Sequence, residues 1–197
     1  MRSENARPEY IAAFTEIAAR IAEPLSALPK RMLPIRMYVA GGAALHFYTG
    51  ERTSRDVDAS FSHRILLPED LDVSYRDADG AARLLYFDRQ YNDSFALMHE
   101  DAREDSVPLR LEGIDPAILE VRLLSPTDLA VSKISRPSSQ ERQDIEALAR
   151  HKLVRAAPLR RRAEEALTAY VGNLETFRKS IDIACRIVAD VEKRKKP

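Results

Sequence analysis

The chain has 197 residues, with 31 Lys and Arg side chains against 31 Asp and Glu, so its formal net charge is zero. This length allows one substantial core with a helical appendage, and zero net charge excludes an overall field that attracts nucleic acid. The single cysteine, Cys185, excludes an internal disulfide; its apolar helical position favours a buried thiol over a nucleophile. Without a signal core or a membrane-spanning run in the sequence, we expect a cytoplasmic protein with no membrane partner.

The first half of the chain begins with a helical pattern and continues with a strand that ends in two glycines. Apolar residues at helical spacing predict an amphipathic helix from Pro8 to about Ala27. Met37 to Ala40 predict a strand, Gly41 and Gly42 a tight turn, and Ala43 to Tyr48 the start of a helix. The backbone amides at such a helix start attract phosphate.

Two aspartates follow this turn, Asp56 and Asp58, with Val57 between them. Residues two apart on a strand point to the same side, so the two carboxylates converge. Close carboxylates repel each other unless a cation lies between them, and Mg²⁺ is commonly held by one or two carboxylates together with substrate phosphates. The pattern therefore predicts a Mg²⁺ site at Asp56 and Asp58, where two ions would clamp the attacking and leaving oxygens.

The same acidic spacing occurs twice more, at Asp70 and Asp72 and at Asp77 and Asp79. Neither copy follows a glycine turn. The second copy leads into Gly80 and predicts a hairpin turn between strands at residues 71–75 and 82–87. The acidic spacing alone is therefore weak evidence for a metal site. The preceding glycine turn is what distinguishes Asp56 and Asp58 from the other two copies.

The second half of the chain is predicted to be mainly helical. Ser125 is expected to cap a helix that has Pro126 at its first position and Asp128 in its first turn. An apolar stripe that includes Cys185 marks the last helix; it packs on the domain or forms a homodimer contact. The predicted strands are 95–98 and 119–124, and the predicted helices are 127–134, 141–150, 159–171 and the segment from Leu174 onward.

Two segments, Val39-Ala40-Gly41-Gly42-Ala43-Ala44-Leu45 and Arg52-Thr53-Ser54-Arg55-Asp56-Val57-Asp58-Ala59, resemble the nucleotidyltransferase-like superfamily. This superfamily includes polymerase-beta-type enzymes and the toxins of AbiE-type abortive-infection systems, and the chain looks closest to a little-characterised bacterial branch. The resemblance continues through 123–133 and 142–148. It implies an α/β (α+β) fold with a small mixed sheet flanked by helices, a domain at 1–153, and a helical C-terminal region at 154–197 packing on it.

The resemblance also implies site residues. Gly41 and Gly42 would cradle nucleotide phosphates, Asp56 and Asp58 would bind magnesium, and Lys133 would contact phosphate. The alternative for Lys133 is pairing with a carboxylate such as Asp128 or Glu120. Arg52 and Arg55 flank the acid pair, where they would neutralise triphosphate or fix the carboxylates.

A third carboxylate is expected on a neighbouring strand. Asp88 is the first choice because it ends the predicted strand that includes Leu84 to Phe87, and Asp101 and Glu120 are the alternatives. Many members have a serine directly after the first glycine, whereas this chain has Gly42 there, and the toxin-like branch also has a glycine at that place. This difference weakens a polymerase-like interpretation.

The expected function is transfer of a nucleoside monophosphate from a nucleoside triphosphate to an acceptor hydroxyl. The resemblance to toxins favours RNA as the acceptor, with a protein side chain or a small molecule as alternatives, and an antitoxin as partner. The rival hypothesis is a binding or regulatory module that keeps the fold without turnover.

Other polar residues have less specific patterns. His99, beside Glu100 and Asp101, is either an acid-base or substrate-contacting residue or a strand-end histidine. The run Arg160-Arg161-Arg162 is a solvated helix face or a contact for an RNA backbone.

Overall fold

The structure is a computed structural model that describes residues 5–92, 96–135, 138–170 and 174–194. The chain forms two compact units, Met1–Tyr91 with Ser106–Leu123, and Asn92–Asp105 with Leu124–Pro197. Every strand of the described residues belongs to the first unit, and the second unit is helical. The predicted α/β fold class with a helical C-terminal region is confirmed.

Among its described residues, the first unit contains two α-helices and seven short strands. They are α1 (Pro8–Leu25), β1 (Ile35–Val39), α2 (Gly41–Thr49), β2 (Asp56–Val57), β3 (Ala59–Phe61), β4 (Asp72–Arg76), β5 (Ala82–Phe87), β6 (Val107–Pro108) and β7 (Leu119–Leu123).

These strands form two small mixed sheets, with strand orders β3-β1-β7-β6 and β2-β5-β4. β1 pairs with β7 in parallel and with β3 antiparallel, whereas β5 pairs with β2 in parallel and with β4 antiparallel. The strand predicted to carry the acid pair is thus divided, because Asp56 and Val57 pair with one sheet and Ala59–Phe61 with the other. Asp58 lies where the chain passes between the two sheets.

Helix α1 covers one face of the three-stranded sheet and leaves the other face open. Its large apolar side chains are buried and it packs against β4 and β5. Val57 and Phe87 are buried, whereas Tyr86 remains 37% exposed. Side chains alternate along a strand, so Asp56, which is level with Tyr86 in the ladder, lies on the open face.

His46 is a buried histidine that joins three segments of this unit. Its Nδ1 lies 3.0 Å from the carbonyl oxygen of Arg52, and its Nε2 accepts a hydrogen bond from the backbone amide of Arg7 at 3.1 Å. One nitrogen faces an acceptor and the other a donor, which defines a neutral ring protonated at Nδ1. Burial lowers the pKa of His46.

We expect the free energy of unfolding to fall with His46 protonation as the pH drops below about 6.5, the ordinary histidine pKa. The folded-state pKa is the lower one, so the unfolded chain takes up the proton first. The stability that neutral His46 contributes is fully present above pH 6.5, and it is lost as the pH falls towards the folded-state pKa of His46. Urea denaturation between pH 8 and 5 should show a weaker pH dependence in His46→Gln than in the exposed-site control His63→Gln. Equal slopes in these two variants would contradict the assignment.

In the part of the second unit that the structure describes there are four α-helices, α3 (Pro126–Ile134), α4 (Ser139–Arg150), α5 (Ala156–Leu167) and α6 (Leu174–Arg194). The predicted cap of α3 is confirmed, because the Ser125 side chain accepts a hydrogen bond from the backbone amide of Asp128 at 3.1 Å. Residues 96–98 of the strand predicted at 95–98 lie in no strand, and Phe95 falls outside the described residues.

The apolar stripe of α6 is packed inside the second unit. Ile181, Cys185, Val188 and Val191 are buried, and the helix contacts α4 and α5. Burial also raises the pKa of the Cys185 thiol, as expected for a core cysteine. A homodimer remains a prediction that this packing does not require. No helix among the described residues has a stretch long and apolar enough to cross a membrane.

Candidate active site

The glycine turn is held directly beside Asp58 by the β1–β3 ladder. Val39 pairs with Ala59, and the backbone amide of Ala40 donates to the carbonyl oxygen of Asp58 at 2.8 Å. Gly41 then opens α2 with a φ of +58°. A Cβ at Gly41 would lie 1.9 Å from Oδ2 of Asp58, so only glycine leaves room for this carboxylate.

This contact brings together a helix start, which attracts anions, and a carboxylate, which attracts cations. The start of α2 carries the partial positive charge of the helix dipole, and its N-cap, Ala40, offers no side-chain cap. The half-buried carboxylate of Asp58 lies against that same helix start. The start of α2 therefore attracts an anion, and the Asp58 carboxylate beside it attracts a cation that could bridge the two.

Asp56 is held by a neighbour that the sequence had not marked as functional. The Ser54 hydroxyl donates a hydrogen bond to Oδ1 of Asp56, and Ser54 is only 8% exposed. Ser54 packs against Gly42, where an added Cβ would lie 2.6 Å from the Ser54 Oγ. The signal available in sequence was a hydroxyl two residues before the first aspartate.

Among the expected third carboxylates, Asp88 is adjacent to Asp58. The parallel register pairs Val57 with Phe87, and the backbone amide of Asp88 donates to the carbonyl oxygen of Val57 at 3.1 Å. Its own Oδ1 accepts a hydrogen bond from the backbone amide of Gln90 at 2.8 Å. Asp58 is the first residue after β2, and Asp88 is the first residue after β5. Because these strands are parallel and their last residues pair, the two aspartates lie side by side at the same end of the sheet.

The two alternatives have other partners. Glu120 is level with Arg36, three residues and about 10 Å before the end of β1. Its carboxylate binds Arg36 at 3.1 Å and Arg122 at 2.7 Å. Asp101 belongs to the second unit, where its carboxylate lies 3.8 Å from the imidazole of His99.

Of the two arginines that flank the acid pair, Arg52 lies against the glycine turn. Its Nη1 is 3.1 Å from the position that a Cβ of Gly42 would take. Arg55 is exposed, and its carbonyl oxygen accepts the backbone amide of Tyr86 at 2.8 Å. The sequence did not distinguish the roles of these two arginines. The structure places Arg52 at the glycine turn, and a nucleotide contact by Arg55 stays a prediction.

Lys133 belongs to the second unit and is held there in a buried ion pair. Its Nζ lies 2.6 Å from Oδ2 of Asp144 and 2.7 Å from Oε2 of Glu141. Asp144 also accepts a hydrogen bond from the side chain of Gln140 at 3.0 Å. Carboxylate pairing was the alternative expected for Lys133, although its partners are on α4 rather than Asp128 or Glu120.

All three consecutive arginines have a carboxylate within 4.0 Å. Arg162 binds Asp128 at 2.7 Å and Asp105 at 2.7 Å, and Arg160 binds Asp182 at 2.8 Å. Because Asp128 is buried, Arg162 mainly neutralises an interior charge. Arg161 is the most exposed of the three, with 77% of its side chain accessible, and its Nε lies 4.0 Å from Oε1 of Glu165.

Tyr10 is a second residue whose surroundings the sequence could not reveal. Its hydroxyl is buried and has no hydrogen-bond partner among the described residues. Burial raises its pKa, with further contributions from Tyr75, Asp56 and Asp58. A helical core position was its only sequence signal.

The donor set at the acid pair fits magnesium that is held jointly with phosphate. Within the described residues, no group of three or more His, Cys, Asp or Glu side chains is arranged to hold a metal ion. Magnesium does not require such a cage, because it is usually bound by one or two carboxylates, waters and substrate phosphates. Asp56 and Asp58 beside the start of α2 supply that kind of donor set.

A mixed sheet with a glycine turn into a helix and an aspartate pair beside it defines the chain as a nucleotidyltransferase-like protein. The model of one family, described as nucleotidyltransferase of unknown function (DUF6036), matches residues 17–188, and the chain belongs to this family. No curated protein and no solved structure matches the chain. The predicted superfamily is confirmed, and closeness to AbiE-type toxins stays a prediction.

Proposed function

We propose that the protein transfers a nucleoside monophosphate from a nucleoside triphosphate to an acceptor hydroxyl in a magnesium-dependent reaction. The observation that supports this most directly is the contact between Asp58 and Gly41, which joins a carboxylate to a phosphate-attracting helix start. Membership of a nucleotidyltransferase family supports the reaction class.

The proposed reaction needs no side-chain nucleophile. The start of α2 and Arg52 would hold the triphosphate, and Asp56 and Asp58 would hold magnesium, which would neutralise phosphate charge. The acceptor hydroxyl oxygen attacks the α-phosphorus and the bond from that phosphorus to the leaving oxygen breaks, releasing pyrophosphate. We assign Asp88 to accept the hydroxyl proton, since it is adjacent to Asp58 and retains a second carboxylate oxygen.

RNA is the acceptor class that we propose, because of the sequence resemblance to abortive-infection toxins. The same resemblance supports an antitoxin as partner protein, and the single cysteine of the sequence supports action in a reducing cytoplasm. Since Arg160 and Arg162 are engaged by carboxylates, we do not assign RNA binding to that run. Label appearing on protein instead of RNA would replace RNA by a protein hydroxyl as the acceptor.

We expect Asp56→Asn and Asp58→Asn each to lower label transfer at least about 100-fold, because charge stabilisation by a bound metal is worth several kcal/mol. The assay follows transfer from each of the four α-³²P-labelled nucleoside triphosphates to total RNA and protein, with and without Mg²⁺. Asp79→Asn is the matched control, taken from a chance copy of the acidic spacing. Unchanged transfer in both site variants would reject the proposal.

One observation favours a second function, a binding module without turnover. Oδ1 of Asp88, the carboxylate assigned to the acceptor proton, is already bound by the backbone amide of Gln90 at 2.8 Å, as in a carboxylate that stabilises its own turn. This alternative predicts Mg²⁺-dependent nucleotide binding that Asp58→Asn weakens, without label transfer in the wild type.

A further inference from the structure

We propose that Ser54 is the positioning residue that fixes the Asp56 carboxylate for metal binding, and that Gly42 is required to make room for its hydroxyl. This inference rests on the proposed function, because it assigns the support of the same metal site. It gives Gly42 a second role besides its place in the phosphate-binding turn.

The direction of the hydrogen bond follows from the chemistry of the two groups. An ionised carboxylate only accepts, so the Ser54 hydroxyl donates its proton to Oδ1 of Asp56. Within the described residues, the bond from Ser54 is the only side-chain hydrogen bond to the Asp56 carboxylate. One carboxylate oxygen is therefore occupied by Ser54, and Oδ2 is the oxygen left for a cation.

This single bond has a large influence on the orientation of the carboxylate. The terminal torsion of aspartate is broad, so packing and hydrogen bonds decide how the two oxygens point. Hydrogen bonds to charged groups are roughly twice as strong as neutral ones. Ser54 is buried, so water does not readily replace its hydroxyl.

Gly42 and Ser54 occupy complementary space. A Cβ at position 42 would lie 2.6 Å from the Oγ and 2.8 Å from the Cβ of Ser54, both closer than real contacts allow. Any side chain at position 42 must therefore displace Ser54 and with it the bond to Asp56. Conversely, a hydroxyl carried by position 42 would lie close to the present Ser54 Oγ if residue 54 had no side chain.

The test uses Mn²⁺ as the probe, with its affinity measured by electron paramagnetic resonance, alongside Mg²⁺-dependent label transfer. Ser54→Ala and Gly42→Ser should each weaken Mn²⁺ binding about 10–100-fold, the usual effect of losing a group that orients a metal ligand. The exchange variant Gly42→Ser/Ser54→Gly should recover at least tenfold over Gly42→Ser. Ser106→Ala, which removes another buried hydroxyl that binds Arg122 at 2.7 Å, should bind Mn²⁺ like the wild type.

Several outcomes overturn the inference. Wild-type Mn²⁺ affinity in Ser54→Ala would show that the hydroxyl does not support Asp56. An exchange variant as weak as Gly42→Ser, while thermal unfolding shows it folded, would reject the shared-space argument. Either result leaves the proposed function intact if Asp56→Asn still abolishes Mn²⁺ binding. A wild-type protein that binds neither Mn²⁺ nor nucleotide would reject both the role of Ser54 and the proposed function.

Discussion

Lys133→Met should lower the free energy of unfolding by up to about 3–5 kcal/mol, because it removes a cation that lies against a buried carboxylate. Asp144 is 1% exposed and its Oδ2 lies 2.6 Å from Nζ of Lys133. Glu141, at 2.7 Å, loses the same partner but is more exposed and costs less. Urea denaturation at pH 7 measures the difference.

The controls separate the buried pair from a general loss of charge. Lys179→Met removes a cation from an exposed pair with Glu175 at 2.8 Å and should change stability by less than about 1 kcal/mol. Lys133→Met/Asp144→Leu removes both buried charges and should recover much of the loss.

The opposite result would favour the phosphate contact that the family resemblance implies for Lys133. If Lys133→Met kept wild-type stability but lowered nucleotide affinity, the ammonium would act on phosphate and not on Asp144. With two carboxylates within 2.7 Å, the ion pair is the arrangement that the structure supports. A phosphate contact by Lys133 then requires exchanging these carboxylates for the nucleotide.

Sequence patterns predicted the features that depend only on residues close together in the chain, such as a helix cap and a hairpin turn. The cap of α3 follows from Ser125-Pro126-Thr127-Asp128, and the hairpin from the turn at 77–80, where the Asp77 carboxylate binds Arg83 and the amides of Asp79 and Ala81. This turn role accounts for that copy of the acidic spacing without a metal site. Local hydrogen bonds of this kind are determined by residues a few positions apart.

Tertiary partners were not accessible from the sequence in the same way. The Lys133 partners lie 8 and 11 residues further along the chain and meet it only because α3 packs on α4. Ser54 meets Gly42 across a connection whose path no local pattern determines. The division of the acidic strand at Asp58 likewise depends on which strand pairs with each half.

Gly41→Ala should abolish magnesium-dependent nucleotide transfer to the same extent as Asp58→Asn, at least about 100-fold, and should also destabilise the fold. Two effects add at this position. The φ of +58° costs a non-glycine residue about 1–2 kcal/mol, and the new Cβ would lie 1.9 Å from Oδ2 of Asp58. Since the Cβ is rigidly attached to the backbone, the Asp58 carboxylate has to move.

Gly80→Ala isolates the first effect from the second. Gly80 has a φ of +77° and no atom within 4 Å of an added Cβ, so its alanine variant has backbone strain without collision. Thermal and urea unfolding should show a larger loss for Gly41→Ala, and label transfer should fall only in that variant. Equal stabilities and full transfer in both variants would mean that Asp58 tolerates displacement, and the glycine turn would then serve the helix start without setting the position of the carboxylate.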